Sequence, residues 1–241
     1  MRLKRVLLAS SALALLAGAQ TAQADGLYIS VFGGANWQSE SSAATLPSTG
    51  QTVDPDTGFV LGGAVGAKLT NWVPGLRAEL EASYRRNDLG GNWFTDADVP
   101  TTTDTTGGPI DANISTFAVM ANVWYEHDFG WKVRPYIGGG IGWASAEADG
   151  AFLTTFQNGT PTTGLFTTPF NMSSDGFAWQ LGIGFNYEAA PGVDVGLGYR
   201  YFNGPDFACF ALGGECGFSP ASGGLENENH SVMMNLSIDI N

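Results

Sequence analysis

Phe177-Ala178-Trp179-Gln180-Leu181-Gly182-Ile183-Gly184-Phe185-Asn186-Tyr187 alternates without a break. The odd positions are all bulky and apolar or aromatic. The even positions are small or polar. A period of two belongs to a β-strand, whose successive side chains point to opposite faces. The pattern returns in Phe117, Val119, Ala121, Val123 and Tyr125, which alternate with residues that include Asn122 and lead to Glu126. It returns again in Val193, Val195, Leu197, Tyr199 and Tyr201, whose alternates include Asp194 and Arg200. Val232, Met234, Leu236, Ile238 and Ile240 alternate with Asn235 and Asp239 in the same way. Upstream, Ala78, Leu80, Ala82 and Tyr84 alternate with Arg77, Glu79, Glu81 and Arg85. The segments 57–69 and 132–147 follow more loosely, and 26–37 is apolar on both faces, so its register cannot be read.

Eight strand-like segments result: 26–37, 57–69, 76–86, 113–127, 132–147, 175–188, 193–203 and 227–240. Their connections alternate in length. Those at 38–56, 87–112, 148–174 and 204–226 are long, and those at 70–75, 128–131 and 189–192 are short. Long structureless loops are rare in compact domains. On alternate connections, they place every long loop at one end of an up-and-down sheet. Short turns at one end and long loops at the other mark an outer-membrane barrel. The soluble alternative is a sandwich or lipocalin-like barrel with its apolar face inward. Period two has no sign, so the alternation itself does not separate the two. The glycines do. Gly138, Gly140, Gly142, Gly182, Gly184, Gly196 and Gly198 share a face with the charges. A narrow eight-strand lumen has room for small residues, whereas rows of glycine weaken a water-facing sheet. The expected fold is all-β: an eight-stranded antiparallel up-and-down transmembrane β-barrel with long extracellular loops and short periplasmic turns.

The chain opens Met1-Arg2-Leu3-Lys4-Arg5, continues through an apolar stretch at 6–16 and reaches Ala22-Gln23-Ala24. A basic start, a short apolar run and a small-x-small site read as a secretory signal peptide over 1–24, with a barrel domain over 25–241. The apolar run is too short to cross ~30 Å of hydrocarbon. No later stretch supplies ~20 apolar residues, so membrane insertion would have to be by strands. Three of the 10 basic residues lie in this leader, which leaves seven against 23 acids. That balance argues against nucleic acid as a partner. Cys209 and Cys216 share the last long connection, and export favours a disulfide between them.

Of the seven basic residues after the leader, only Arg86 falls outside the face opposite the apolar one. Lys68, Arg77, Arg85, Lys132, Arg134 and Arg200 lie on that face with Glu79, Glu81, Glu126, Glu188, Asp194 and Asp239. Buried charge is costly unless paired, so a closed, charge-plugged lumen is expected. Lys68, Arg77, Lys132 and Arg134 would face Glu126, Glu188, Asp194 and Asp239 at the short-turn end. Arg85 and Arg200 would sit higher, near Glu79 and Glu81. The other acids concentrate in the long connections, which makes the outer end acidic. Such a surface repels anionic ligands and attracts divalent cations at a lipopolysaccharide layer. Asp54, Asp56, Asp96 and Asp98 match no Ca²⁺-loop spacing, and neither a metal nor a cofactor is expected.

Catalytic constellations are absent from the pattern. His127 falls at a strand end. His230 and Ser231 are sequence neighbours in a strand, so they point to opposite faces and do not cooperate. Gly138-Gly139-Gly140 lies mid-strand with no following helix, which excludes a phosphate loop. The chain is therefore expected not to be an enzyme.

Asn122-Val-Trp-Tyr-Glu126, Arg134-Pro-Tyr-Ile-Gly-Gly-Gly-Ile-Gly142, Phe177-Ala-Trp-Gln-Leu-Gly-Ile-Gly-Phe185 and Gly198-Tyr-Arg-Tyr-Phe202 resemble strands of small proteobacterial outer-membrane proteins. These are the OmpA-like transmembrane barrels and the opacity and surface-antigen porin-like families. The resemblance spans 26–240. It implies insertion by the barrel-assembly machinery, contact with outer-membrane lipids and lipopolysaccharide, and surface ligands of host or environment engaged by the loops. Two departures stand out. The chain ends Ile238-Asp239-Ile240-Asn241 rather than in the aromatic residue usual in such proteins. No peptidoglycan-binding domain follows the last strand. The reading that results is a structural and surface-interaction protein. A small-solute porin is the alternative, and a membrane-embedded lipid-modifying enzyme a more distant one.

Overall fold

The computed structural model describes residues 26–39, 49–96, 105–157, 160–207 and 226–240. Residues 1–24, expected as a leader, and Cys209 and Cys216 lie outside these residues. Nine strands run Gly26–Gln38 (β1), Thr49–Pro55 (β2), Gly58–Lys68 (β3), Leu76–Asp96 (β4), Thr105–Glu126 (β5), Val133–Gln157 (β6), Thr160–Ala190 (β7), Val193–Asn203 (β8) and Glu228–Ile240 (β9). All ladders are antiparallel. β1 pairs with β3 on one side and β9 on the other, and β3 to β9 pair in sequence, so the sheet closes on itself. β2 pairs only with the far end of β4, Leu89–Thr95. The closed wall therefore has eight strands.

The register of β1 follows from its partner. Leu27, Ile29 and Val31 face outward, and Tyr28 and Phe32 are buried inside. Tyr28 lies opposite Gly66 and Phe32 opposite Gly62. A Cβ at either glycine would run into the ring it faces. The two inward aromatics and the two glycines are thus one packing arrangement.

Each short turn carries one glycine in the left-handed region: Gly75 (φ 84°), Gly130 (φ 77°) and Gly192 (φ 73°). At Gly75 a Cβ would also collide with the carbonyl of Glu126, whereas at Gly130 it would meet open space. Gly130→Ala is expected to cost about 1 kcal/mol, the strain of the left-handed region. Gly75→Ala is expected to cost up to about 3 kcal/mol, because collision adds to that strain. Urea midpoints of the refolded protein in detergent micelles read both, and equal midpoints would contradict the difference.

The outer surface is a band of exposed apolar side chains. Along β7 it runs from Tyr187 to Phe177, ten residue steps. At ~3.3 Å per residue and a tilt near 40° that is about 25 Å, the height of a transmembrane barrel's apolar belt. Aromatic residues close the band at both ends. Trp72, Phe129 and Trp131 are exposed at the short-turn end. Trp37, Tyr199 and Tyr201 gather around His230 at the other, at ring distances of 5.3–6.0 Å, and Trp179 packs on Tyr201 at 5.3 Å.

Above the second girdle the alternation changes sign. β4 to β7 extend well past the ends of β1, β3, β8 and β9. Their outward positions become polar, with Asp88, Asn113, Asp149 and Asn171 forming one row across four paired strands. Their inward positions become apolar. Leu89, Ala112, Ile114, Ala146 and Ala148 form a buried cluster with Phe207, flanked by Phe170 and Met172. The connections 87–112 and 148–174, expected as loops, are mostly strand in their described residues. They are a β-structured wall that stands on water-soluble rules, with its apolar face inside.

Candidate functional site

The lumen is filled layer by layer with inward-facing side chains. At the short-turn mouth, Lys68 reaches Asp239 at 2.7 Å. Arg134 contacts Glu126 at 2.7 Å, Asp194 at 2.6 Å and Glu188 at 3.4 Å. Arg77 approaches Glu126 at 3.5 Å, and Asn186 donates to the same carboxylate at 2.5 Å. These groups come from β3 to β9. The charged groups among them line an open vestibule of about 430 Å³. Lys132 is placed differently from its expected inward position. It is exposed in the turn between β5 and β6.

The next layer is aromatic. Glu79 accepts hydrogen bonds from Tyr28 Oη at 2.6 Å and Trp124 Nε1 at 2.8 Å. Arg77 lies over the rings of Tyr28 and Tyr136 at 5.7 and 5.8 Å. Trp124 and Tyr136 meet edge to face at 5.7 Å. The inward glycines make this possible, since a Cβ at Gly182 would press on Trp124, and one at Gly184 or Gly198 on Tyr136. The sequence marked the glycine rows but not the inward aromatics they accommodate.

The middle layer is centred on Glu81. Its Oε2 accepts from Arg200 at 2.6 Å, Asn122 at 2.9 Å and Gln180 at 3.4 Å. Gln180 also donates to Asn122 at 2.7 Å. Arg200 lies 5.1 Å from the ring centres of Phe32 and Trp124. Glu81, Asn122, Gln180 and Trp124 are each at most 2% exposed. Beside Arg200 and Glu79, the described interior has a cavity of only about 30 Å³, room for one water.

Higher up, Arg85 departs from the expected arrangement. Among the described residues no carboxylate lies within ion-pair distance of it. It donates to Ser83 Oγ at 2.9 Å and lies on the Phe202 ring at 3.9 Å. Glu79, its other expected partner, is two layers below and engaged by neutral donors. A lattice of amides and hydroxyls closes this end. Asn36 donates to Asn87 at 2.5 Å and to Asn229 at 2.8 Å, Ser231 donates to Asn36 at 2.7 Å, and Asn229 donates to Asn227 at 2.9 Å.

His230 and Ser231 do face opposite sides. Ser231 is buried in the amide lattice, and His230 is on the outer girdle. His230 is hydrogen-bonded to Ser39 Oγ at 3.1 Å and Tyr199 Oη at 2.5 Å. This bridge joins the residue after β1 to β9 and β8 and satisfies the polar tips at an apolar–aqueous boundary. At the opposite mouth, His127 is bonded to Tyr125 Oη at 3.1 Å and packs edge-on against Phe129 at 4.3 Å.

Comparison with known proteins agrees with this architecture. A family model described as the outer membrane protein β-barrel domain matches residues 6–236. Neisserial surface protein A has a similar structure, with a TM-score of 0.51 at 15% identity, covering 90% of this chain and 99% of that one. Ail, the attachment invasion locus protein of Yersinia pestis, aligns with a TM-score of 0.41 at 13% identity, covering 89% and 99%. OprG from Pseudomonas aeruginosa aligns with a TM-score of 0.42 at 14% identity, covering 90% and 94%. At 15% identity the likeness to Neisserial surface protein A is one of fold. No curated protein matches the sequence.

Proposed function

The chain belongs to the outer membrane protein β-barrel family, and on that premise we propose that it is a structural and surface-interaction barrel whose lumen does not conduct. The observation that supports this reading is the middle layer. Glu81, Asn122, Gln180 and Trp124, from β4, β5 and β7, are buried inside the barrel, and Phe202 of β8, the cross-strand neighbour of Gln180, is buried beside them. A water-filled channel would leave a continuous row of them exposed.

On this reading the charged groups at the vestibule, Lys68, Arg77, Glu126, Arg134, Glu188 and Asp194, line the periplasmic mouth below the closed layers. Glu79, Glu81, Arg85 and Arg200 hold the interior above them. Interaction is left to the acidic wall formed by β4 to β7 and to the segments around it. Its partners would be lipopolysaccharide and surface ligands of host or environment. The leader over 1–24 would direct export, and the barrel-assembly machinery would insert the chain. A Cys209–Cys216 bridge would tie off the last outer connection.

Planar-bilayer recording of the refolded protein tests the closed lumen. The expected result is a baseline without ohmic steps. Reproducible steps would instead support a small-solute porin.

A further inference from the structure

Among the described residues the guanidinium of Arg85 has no counter-ion within ion-pair distance. The residue is 1% exposed. One face of the group is covered by Phe202, and Nη1 is used by Ser83. Nε and Nη2 have no hydrogen-bond partner among the described residues. These two N–H groups share one edge of the planar group and point the same way. They form the fork with which arginine grips anions.

The charges of Arg85 and of the Glu81 layer beneath it do not balance. Glu81 is that layer's carboxylate, and Arg200 holds it at 2.6 Å. Two guanidiniums therefore share one carboxylate. Glu81 Oε1 is likewise without a hydrogen-bond partner, but one carboxylate carries one negative charge, so no rearrangement among the three neutralises two guanidiniums. Arginine does not deprotonate in proteins, and a buried charge without a partner is strongly unfavourable.

We propose that Arg85 anchors a buried site for a small inorganic anion of the halide class, with chloride as its ordinary occupant. The size limit comes from both sides. Above lies the lattice of Asn36, Asn87, Asn229 and Ser231, and below lies the Glu81–Arg200 pair. An anionic group carried on a larger molecule does not pass either layer. The site supplies the missing negative charge and completes the lumen electrostatically. It stands independently of whether the barrel conducts.

The test uses refolded protein in zwitterionic detergent, with urea midpoints measured in sodium chloride and in sodium gluconate at equal ionic strength. Gluconate matches chloride in screening but is too large to enter. The expected result is a saturable chloride-dependent rise, with the folded-to-unfolded ratio raised about 11-fold at ten times the dissociation constant. Arg85→Met is expected to lose this dependence. Anomalous scattering from bromide-soaked wild-type crystals, expected beside Arg85 inside the barrel, reads the site even if that variant does not fold. Superimposed midpoints in the two salts would overturn the proposal. So would a chloride dependence that survives Arg85→Met, or bromide bound at surface positions alone.

Discussion

Glu81→Leu is expected to lower the unfolding free energy by about 3–5 kcal/mol, the range for removing one partner of a buried ion pair. Glu81 is 1% exposed and accepts from Arg200, Asn122 and Gln180. Without it, Arg200 and Arg85 remain together as two buried cations. The converse change is milder. Arg200→Leu leaves a carboxylate that still has two amide donors and a second guanidinium in the layer above. It is expected to cost several kcal/mol but less than Glu81→Leu. The double variant removes one charge of each sign and should recover part of the loss, which gives a measurable coupling between the two positions. Urea midpoints and heat-dependent gel mobility in micelles read all three proteins. Unchanged midpoints in the single variants would remove the pair from any account of this barrel's stability.

Ile183→Arg is expected to cost about 2–4 kcal/mol in a bilayer, as for a cation placed at the midplane of a barrel's lipid face. Ile183 is 53% exposed and lies midway along the outward row of β7. Its cross-strand neighbours are Ile137 and Tyr199, so no acidic side chain is at hand to neutralise it. The same substitution at Trp131, in the short-turn girdle, should cost only about 0–1 kcal/mol because the headgroup region solvates it. Unfolding in phospholipid vesicles measures the difference. Equal costs at the two positions would mean that Ile183 does not face hydrocarbon.

The lipid face was legible in the sequence because one rule covers it. Every outward residue from Phe177 to Tyr187 meets hydrocarbon, so period two carries a single sign. β1 was not legible because Tyr28 and Phe32 fill the lumen with aromatic mass, and an apolar inward face looks like an apolar outward one. The resolving signal was in β3, where Gly66 and Gly62 lie opposite those rings. The wall above the girdle was missed for a related reason. From Asp88 to Asp96 and from Ala148 to Gln157 the strands continue, but the surroundings change from lipid to water. A reader following apolar residues on one face loses the strand where they move to the other. Apart from Lys132, the charged lumen residues were identifiable by register, but the neutral partners of Glu79 and the isolation of Arg85 were not. Pairing depends on height in the barrel and on neutral competitors such as Trp124 and Tyr28, and neither is encoded by alternation.

The polar row at Asp88, Asn113, Asp149 and Asn171 joins four positions widely separated in the chain. A peptide copied from any one strand carries one of the four groups and none of their spacing. What this protein displays to the outside on that face is accordingly a conformational epitope. A binder raised against the folded barrel should lose it on boiling, and one raised against linear fragments should never acquire it.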